Sequence, residues 1–196
     1  MVSAVNGEFA NASTDNRYRI GMWVAVAGVL MLFTSLTSAY IVRAASSNDW
    51  RPLPLPRILV LSTILLVVSS CTLELARRRL AVHSETLFLR WLTASILLGT
   101  AFLFAQTVAW RQLVRAGVYL ASNPHASFFY LLTATHGLHL LGGVIALAYL
   151  RIRSRGTARN KRAAAGRQSA ADAVILYWHV MDGLWIYLFL LLFLWR

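Results

Sequence analysis

Four ionisable side chains lie inside stretches of the chain that are otherwise apolar: His136, His139, His179 and Asp182. The first two belong to the run T-H-G-L-H at 135–139, the second two to Y-W-H-V-M-D-G at 177–183. A spacing of three on a helix puts both members of a pair on one face. Each such group costs roughly 2.5–3.5 kcal/mol at a helix centre on insertion scales, so its presence asks for a reason. Histidines on two neighbouring helices could ligate a haem. A zinc or di-iron site would want more carboxylates, or a more closed ligand set, than one Asp supplies. A proton relay would need titratable groups leading to both surfaces, and these four sit in one half of the span. The simplest reading is structural: polar side chains hydrogen-bond between helices, and small neighbours such as Gly137, Gly142, Gly143 and Gly183 let the backbones approach.

Two secondary positions carry less. Glu74 precedes Arg77 and Arg78 by three and four residues, the spacing of a helix-end ion pair. Gln106 can hydrogen-bond near the outer end of its helix. No nucleophile–base pair, phosphate-binding glycine loop or cysteine cluster is present. Cys71 is the one cysteine, so no disulfide can form within the chain.

The elements that must position these groups follow from hydropathy. Of the 196 residues, 58% are hydrophobic, against about 45–50% in soluble domains. Five long apolar runs account for the excess, at about 20–42, 58–76, 87–110, 126–150 and 173–195. Each is close to the roughly 20 residues that a helix needs to cross a ~30 Å hydrocarbon core. They are continuous rather than alternating, which argues for helices over barrel strands. Pro52, Pro54 and Pro56 lead into the second, where a helix start tolerates proline. The expected fold is an all-α, polytopic membrane protein: a polar tail at 1–19, then a single five-helix domain at 20–196.

Charge supplies direction. The chain carries a formal +12, and 18 of its 19 basic residues are arginine. They cluster between the apolar runs, which is a topology signal rather than a nucleic-acid surface. The tail, the 77–90 loop and the 151–172 loop hold 13 of the basic residues, and the opposite side holds 6. The N-terminus is therefore expected in the cytoplasm and the C-terminus outside, in the periplasm. Trp23, Trp91, Tyr149 and Trp178 then form an inner aromatic belt, and Tyr40, Trp110, Tyr130 and Trp195 an outer one. The loop 151–172 is expected to be a flexible basic segment against anionic headgroups. At 1.5 Å per residue, Asp182 lies about 14 Å in from Ala173 and His139 about 17 Å in from Leu150, so the two could meet.

At these residues the chain resembles subunit III of the haem–copper oxygen reductases, the cytochrome c oxidase family. The likeness rests on R-I-G-M-W at 19–23 with M-L-F-T-S-L-T-S-A-Y at 31–40. It rests also on A-T-H-G-L-H-L-L-G-G at 134–143 and on Y-W-H-V-M-D-G-L-W-I-Y-L-F at 177–189. The second span and the surroundings of Gln106 look similar too, so the likeness covers nearly everything beyond residue 18. It implies the short, five-helix bacterial form in the inner membrane. It also implies a non-catalytic accessory subunit of a proton-translocating respiratory oxidase, with no cofactor in this chain and haem and copper in the partner subunits. Subunits I and II and phospholipids would be its partners, with Arg19 and Trp23 as headgroup contacts. His136, His139, His179 and Asp182 would then be structural. A subunit of a quinol oxidase or nitric oxide reductase complex is the near alternative. A stand-alone membrane haem b protein is the distant one, and a transporter is disfavoured by the lack of an inverted repeat.

The chain departs from the family pattern at two places. Where many members carry a glutamate in the first span this chain has Val29, and the acidic position after Gln106 is also lost, in the stretch that ends at Ala109 and Trp110. A proton antenna built from intramembrane glutamates is correspondingly less expected.

Overall fold

The computed structural model describes residues 2–46, 53–82, 84–154 and 161–194, with side chains described from Ile20 in the first segment and from Gly166 in the last. Within them the chain forms five helices and no strand: α1 (Val2–Ser46), α2 (Ile58–Ala81), α3 (Glu85–Arg115), α4 (Pro124–Arg153) and α5 (Lys161–Leu194). All five are long and apolar enough to cross a membrane, over Ile20–Ser46, Ile58–Ala81, Glu85–Arg115, Pro124–Arg153 and Gly166–Leu194.

The helices run past the apolar stretches at both ends. Residues 2–19, expected as a solvated tail, continue α1 without a break, and no proline interrupts them. The second half of the 151–172 loop is the first three turns of α5. Its K-R-A-A-A-G-R-Q-S-A-A-D sequence is rich in Ala, Arg, Lys and Gln, all strong helix formers. The expectation of a flexible loop fails there, and residues 155–160 lie outside the described segments. Hydropathy locates lipid, not the helix end.

The buried positions repeat every three and four residues. In α2 they are Leu59, Ser62, Leu66, Ser69, Leu73, Ala76 and Leu80, with Thr72 buried beside them. In α3 they are Phe88, Leu92, Ser95, Gly99, Phe102, Gln106, Ala109 and Leu113, with Ala105 buried beside them. This is a heptad stripe, the pattern that packs knobs into holes at a shallow crossing angle. Accordingly α2 and α3 make the most extensive helix contact in the molecule. From there α3 packs on α4, and α4 on α5, while α5 also touches α1 and α2. Among the described residues, helix α1 leans only on α4 and α5, through Val26, Val29, Phe33, Thr37 and Tyr40. It does not touch α2, and the gap between the two opens onto α5. Val29, in the place often taken by an acid, is part of the apolar core.

Candidate functional site

The two motif pairs are held on α4 and α5, and their hydrogen bonds do not run between them. His136 is fully buried. Its ring lies between Phe33 of α1, Phe102 of α3 and Trp185 of α5, with centroids 6.3, 5.9 and 5.0 Å away. Among the described residues neither ring nitrogen has a hydrogen-bond partner. One turn on, His139 bonds its own helix, Nδ1 lying 2.8 Å from the Thr135 carbonyl oxygen. Its ring meets Phe33 edge-on at 5.7 Å, and its carbonyl accepts from the Tyr177 hydroxyl at 3.0 Å. The α4 pair is thus wrapped mainly in aromatic rings.

The α5 pair faces α2 instead. His179 Nδ1 lies 2.6 Å from Ser70 Oγ. Asp182 is 5% exposed, and among the described residues neither carboxylate oxygen has a hydrogen-bond partner. A single network across α4 and α5 is what the motif spacing suggests. The structure shows two groups, one aromatic and one centred on Ser70. The reason is rotational: a helix turns 100° per residue, so His179 looks toward α2 while Trp178 looks toward α3 and α4; Trp185 packs on Phe102 and His136 and donates its indole N–H to Thr63 of α2 at 3.0 Å.

Trp178 does not belong to the inner belt where its sequence position puts it. It is fully buried, filling a slot made by two glycines. A Cβ on Gly99 would lie 2.6 Å from Trp178 Cη2, and one on Gly143 would lie 3.2 Å from its ring carbons. Among the described residues, Gly142 and Gly183 have nothing within 4 Å of such a carbon, and Gly137 only Leu103 at 3.9 Å. Tyr40 also leaves the belt, buried against His125 and Phe128. Trp23 and Tyr149 are exposed at the rim. Trp91 is partly buried against the core. Trp110 donates to Thr133 at 3.1 Å and Tyr130 to the Val118 carbonyl at 2.9 Å. Trp195 and the Arg19 side chain lie outside the described residues.

Gln106 donates to Ser62 at 3.1 Å. Below it the Thr72 and Ser95 hydroxyls are 2.8 Å apart, and Ser69 reaches the Ser95 carbonyl at 3.3 Å. At the Arg-rich end, Glu74 lies 3.8 Å from Arg77 and 3.2 Å from Arg78. Arg77 also pairs with Asp172 of α5 at 2.9 Å, and Arg167 of α5 with Glu85 of α3 at 2.7 Å. Neither cross-helix pair can be seen from one helix alone. Met22 and Trp23 of α1, Arg77 of α2, and Asp172 and His179 of α5 line a cavity of about 410 Å³ at the gap between α1 and α2. Among the described residues no three His, Cys, Asp or Glu side chains are grouped as they would be around a metal ion.

These features sit in a sequence that matches known proteins from end to end. The family model for cytochrome c oxidase subunit III matches residues 1–196. A Nocardia farcinica protein named "Probable cytochrome c oxidase subunit 3" is 32% identical over 193 residues, covering 95% of this chain and 92% of the relative. A Mycobacterium bovis protein of the same name is 31% identical over 197 residues, covering 97% and 94%. A Staphylococcus saprophyticus protein named "Probable quinol oxidase subunit 3" is 28% identical over 179 residues, covering 89% and 87%. With five helices long and apolar enough to cross a membrane and a family match along its full length, the chain belongs to the cytochrome c oxidase subunit III family, the accessory subunits of haem–copper oxidases.

Proposed function

We propose that this chain is the non-catalytic third subunit of a bacterial inner-membrane haem–copper terminal oxidase. It packs against subunits I and II, which hold the haem and copper, and supports proton uptake during oxygen reduction. The observation that carries this reading is the family match over all 196 residues. The polar groups support it: His136 is walled in by aromatic rings, an arrangement suited to packing rather than to ligation. The charge asymmetry of 13 to 6 supports an inner N-terminus and an outer C-terminus. His136, His139, His179 and Asp182 then serve helix packing, Glu74 with Arg77 and Arg78 closes a helix end, and Arg19 and Trp23 meet phospholipid headgroups. The relative named for a quinol oxidase keeps quinol open as electron donor in place of cytochrome c.

Purification of the tagged chain in mild detergent tests the reading. It should bring down an oxidase with a haem spectrum, while the chain by itself shows no Soret band. Recovery as a stable lone protein would overturn it. A stoichiometric haem on the lone chain, lost in His136→Ala or His179→Ala, would put a membrane cytochrome in its place.

A further inference from the structure

We propose that a groove along α5, in the gap between α1 and α2, seats one lipid with a zwitterionic ethanolamine headgroup, its phosphate on Arg77 and its ammonium on Asp172. The proposal rests on the reading that phospholipid surrounds the Arg-rich end, and goes beyond it by assigning a groove and a headgroup class.

Two cavities line up in this gap. The first, of about 410 Å³, is bounded by Asp172, Leu176 and His179 on α5 and by Met22 and Trp23 on α1. The second, of about 380 Å³, is bounded by Val180, Gly183 and Tyr187 on α5 and by Leu30, Thr34 and Thr37 on α1. Positions 172, 176, 180, 183 and 187 advance by three or four residues at each step, and so do 30, 34 and 37, with Trp23 one heptad before Leu30. One face of each helix therefore lines both cavities, which makes them two stretches of a single groove. From Asp172 to Tyr187 the groove rises about 22 Å at 1.5 Å per residue. Half a bilayer with its headgroups is about 20–22 Å, so the groove has the length of one lipid. A spanning partner helix would want walls across both leaflets.

The two ends of the groove differ as the two ends of a lipid do. At the Arg-rich mouth Arg77 lies 2.9 Å from Asp172 and 3.8 Å from Glu74, and Glu74 lies 3.2 Å from Arg78. These two cations and two carboxylates sum to no net charge. Arg77 and Asp172 are both half-exposed. The guanidinium carries more N–H donors than Asp172 uses, and the carboxylate keeps lone pairs of its own. A phosphate suits the free donors, and a primary ammonium suits the free lone pairs. An anionic headgroup would meet Asp172 and Glu74 with no cation to offer them, and a quaternary amine has no N–H to donate. The ethanolamine headgroup matches both charges. Trp23, exposed beside them, is the residue type that sits at headgroup level. Farther along, the α1 wall is satisfied without water: the Thr34 and Thr37 hydroxyls donate to the Leu30 and Phe33 carbonyls of their own helix at 2.7 and 2.8 Å. Among the described residues nothing lies within 4 Å of a Cβ built on Gly183, which leaves the groove open where an acyl chain would pass.

Electron paramagnetic resonance of the purified complex containing the full chain, in mild detergent with spin-labelled phosphatidylethanolamine, phosphatidylglycerol or phosphatidylcholine, tests the proposal. The immobilised component should favour the ethanolamine lipid by roughly threefold to fivefold, the worth of one exposed ion pair. Asp172→Asn should erase that preference, and Arg77→Gln should weaken retention of all three lipids. Gly183→Leu, which fills the groove and improves helix propensity, should lose one immobilised lipid per chain. If Gly183→Leu does not assemble, Thr34→Phe on the opposite wall decides in its place. Equal retention of the three lipids by the parent, or an unchanged lipid count in the filled groove, would overturn the site. A polypeptide lost from the complex in Gly183→Leu, with the lipid count unchanged, would give the groove to a partner's transmembrane helix instead. Haem that co-purifies with the chain is scored separately, so an intact oxidase without this lipid rejects the groove and leaves the subunit reading standing.

Discussion

The seam between α2 and α3 and the seam between α4 and α5 hold helices together in different ways. In the first, hydroxyls and an amide meet along a heptad stripe: Gln106 with Ser62, Thr72 with Ser95, and Ser69 with the Ser95 carbonyl. In the second, and where it touches α3, one hydrogen bond from the Tyr177 hydroxyl to the His139 carbonyl accompanies a fit of shape. Trp178 enters a slot floored by Gly99 and Gly143, and His136, Phe102 and Trp185 meet ring to ring. Lipid tails are as apolar as the helices, so burial alone does not drive association in a membrane; packing and hydrogen bonds do. The α2–α3 seam divides its energy among several small bonds. The α4–α5 seam concentrates it in one large side chain, and substitutions should expose that difference.

The largest effect is expected at Trp178. Trp178→Ala should destabilise the chain by about 3–5 kcal/mol, the range for emptying a large buried aromatic site. Gly99→Val should approach it from the other side. Its Cβ alone would fall 2.6 Å from a ring that is fully buried, and overpacking costs about 1–3 kcal/mol or more. Thermal loss of co-purifying oxidase in mild detergent measures both. A Gly99→Val chain as heat-stable as the parent would show that the slot is looser than its geometry implies, and would erase the contrast.

The hydroxyl seam should respond in smaller steps. Ser95→Ala removes the bond to Thr72 but leaves the Ser95 carbonyl for Ser69. Its cost should be near the average of about 0.6 kcal/mol for interhelical bonds in membranes, and below the ~1.7 kcal/mol maximum. Gln106→Leu should cost about the same, because Ser62 keeps its bond to the Leu59 carbonyl at 2.9 Å. The double variant should come out near the sum, since the two bonds share no partner. A loss in Ser95→Ala as large as in Trp178→Ala would reverse the ranking of the seams.

The same contrast governs how much of the molecule is legible in its sequence. Five spans can be read because an uninterrupted apolar run of about 20 residues is rare outside a bilayer. The heptad at Ser62, Ser69 and Ala76 against Ser95, Gly99, Gln106 and Ala109 is equally present in the letters. It is masked, because the lipid-facing positions between, such as Val60, Ile64 and Val67, are apolar as well. The usable signal is a stripe of small and hydroxylic residues, not a stripe of hydrophobic ones. A place near a span end assigns Trp178 to the belt, but a membrane-belt tryptophan needs a wet side, and Gly99 and Gly143 leave this one none. The His and Asp positions are visible as expensive residues, whereas Ser70, 109 residues from His179, becomes that histidine's partner only once α2 is laid against α5. Hydropathy likewise cannot see that α5 begins at Lys161, because helix propensity rather than lipid sets that end.

A finer difference separates the two histidines nearest the aromatic seam from the charged pair at the Arg-rich end. His136 has no hydrogen bond to lose among the described residues, and its surroundings are Phe33, Phe102 and Trp185. His136→Phe should therefore change stability by less than ~1.5 kcal/mol, as shape-conserving apolar swaps do. Replacing an unpartnered polar ring can even stabilise, since a desolvation penalty disappears with it. A loss on the scale of Trp178→Ala would mean that an imidazole nitrogen is bonded in the assembled complex, and the aromatic account of His136 would be wrong.

The smallest effect is expected at the Arg77–Asp172 pair, which lies 2.9 Å apart with the two side chains 49% and 41% exposed. Exposed pairs of this kind contribute about 0–1 kcal/mol and weaken as salt rises. Arg77→Gln should fall in that range, measured at low ionic strength, and should approach the parent at about 1 M salt, where the Debye length drops to roughly 3 Å. Glu74 remains paired with Arg78 at 3.2 Å in that variant, so no carboxylate is stranded on α2. Asp172→Asn should give no larger a loss with the same salt dependence, since Arg77 keeps Glu74 at 3.8 Å in that variant, and the double variant should lose no more than Arg77→Gln alone, because the Arg77–Asp172 pair is one interaction. A loss that persisted undiminished in high salt would show that the pair is covered in the complex. The cavity mouth beside His179 would then be closed by a partner subunit rather than open to water.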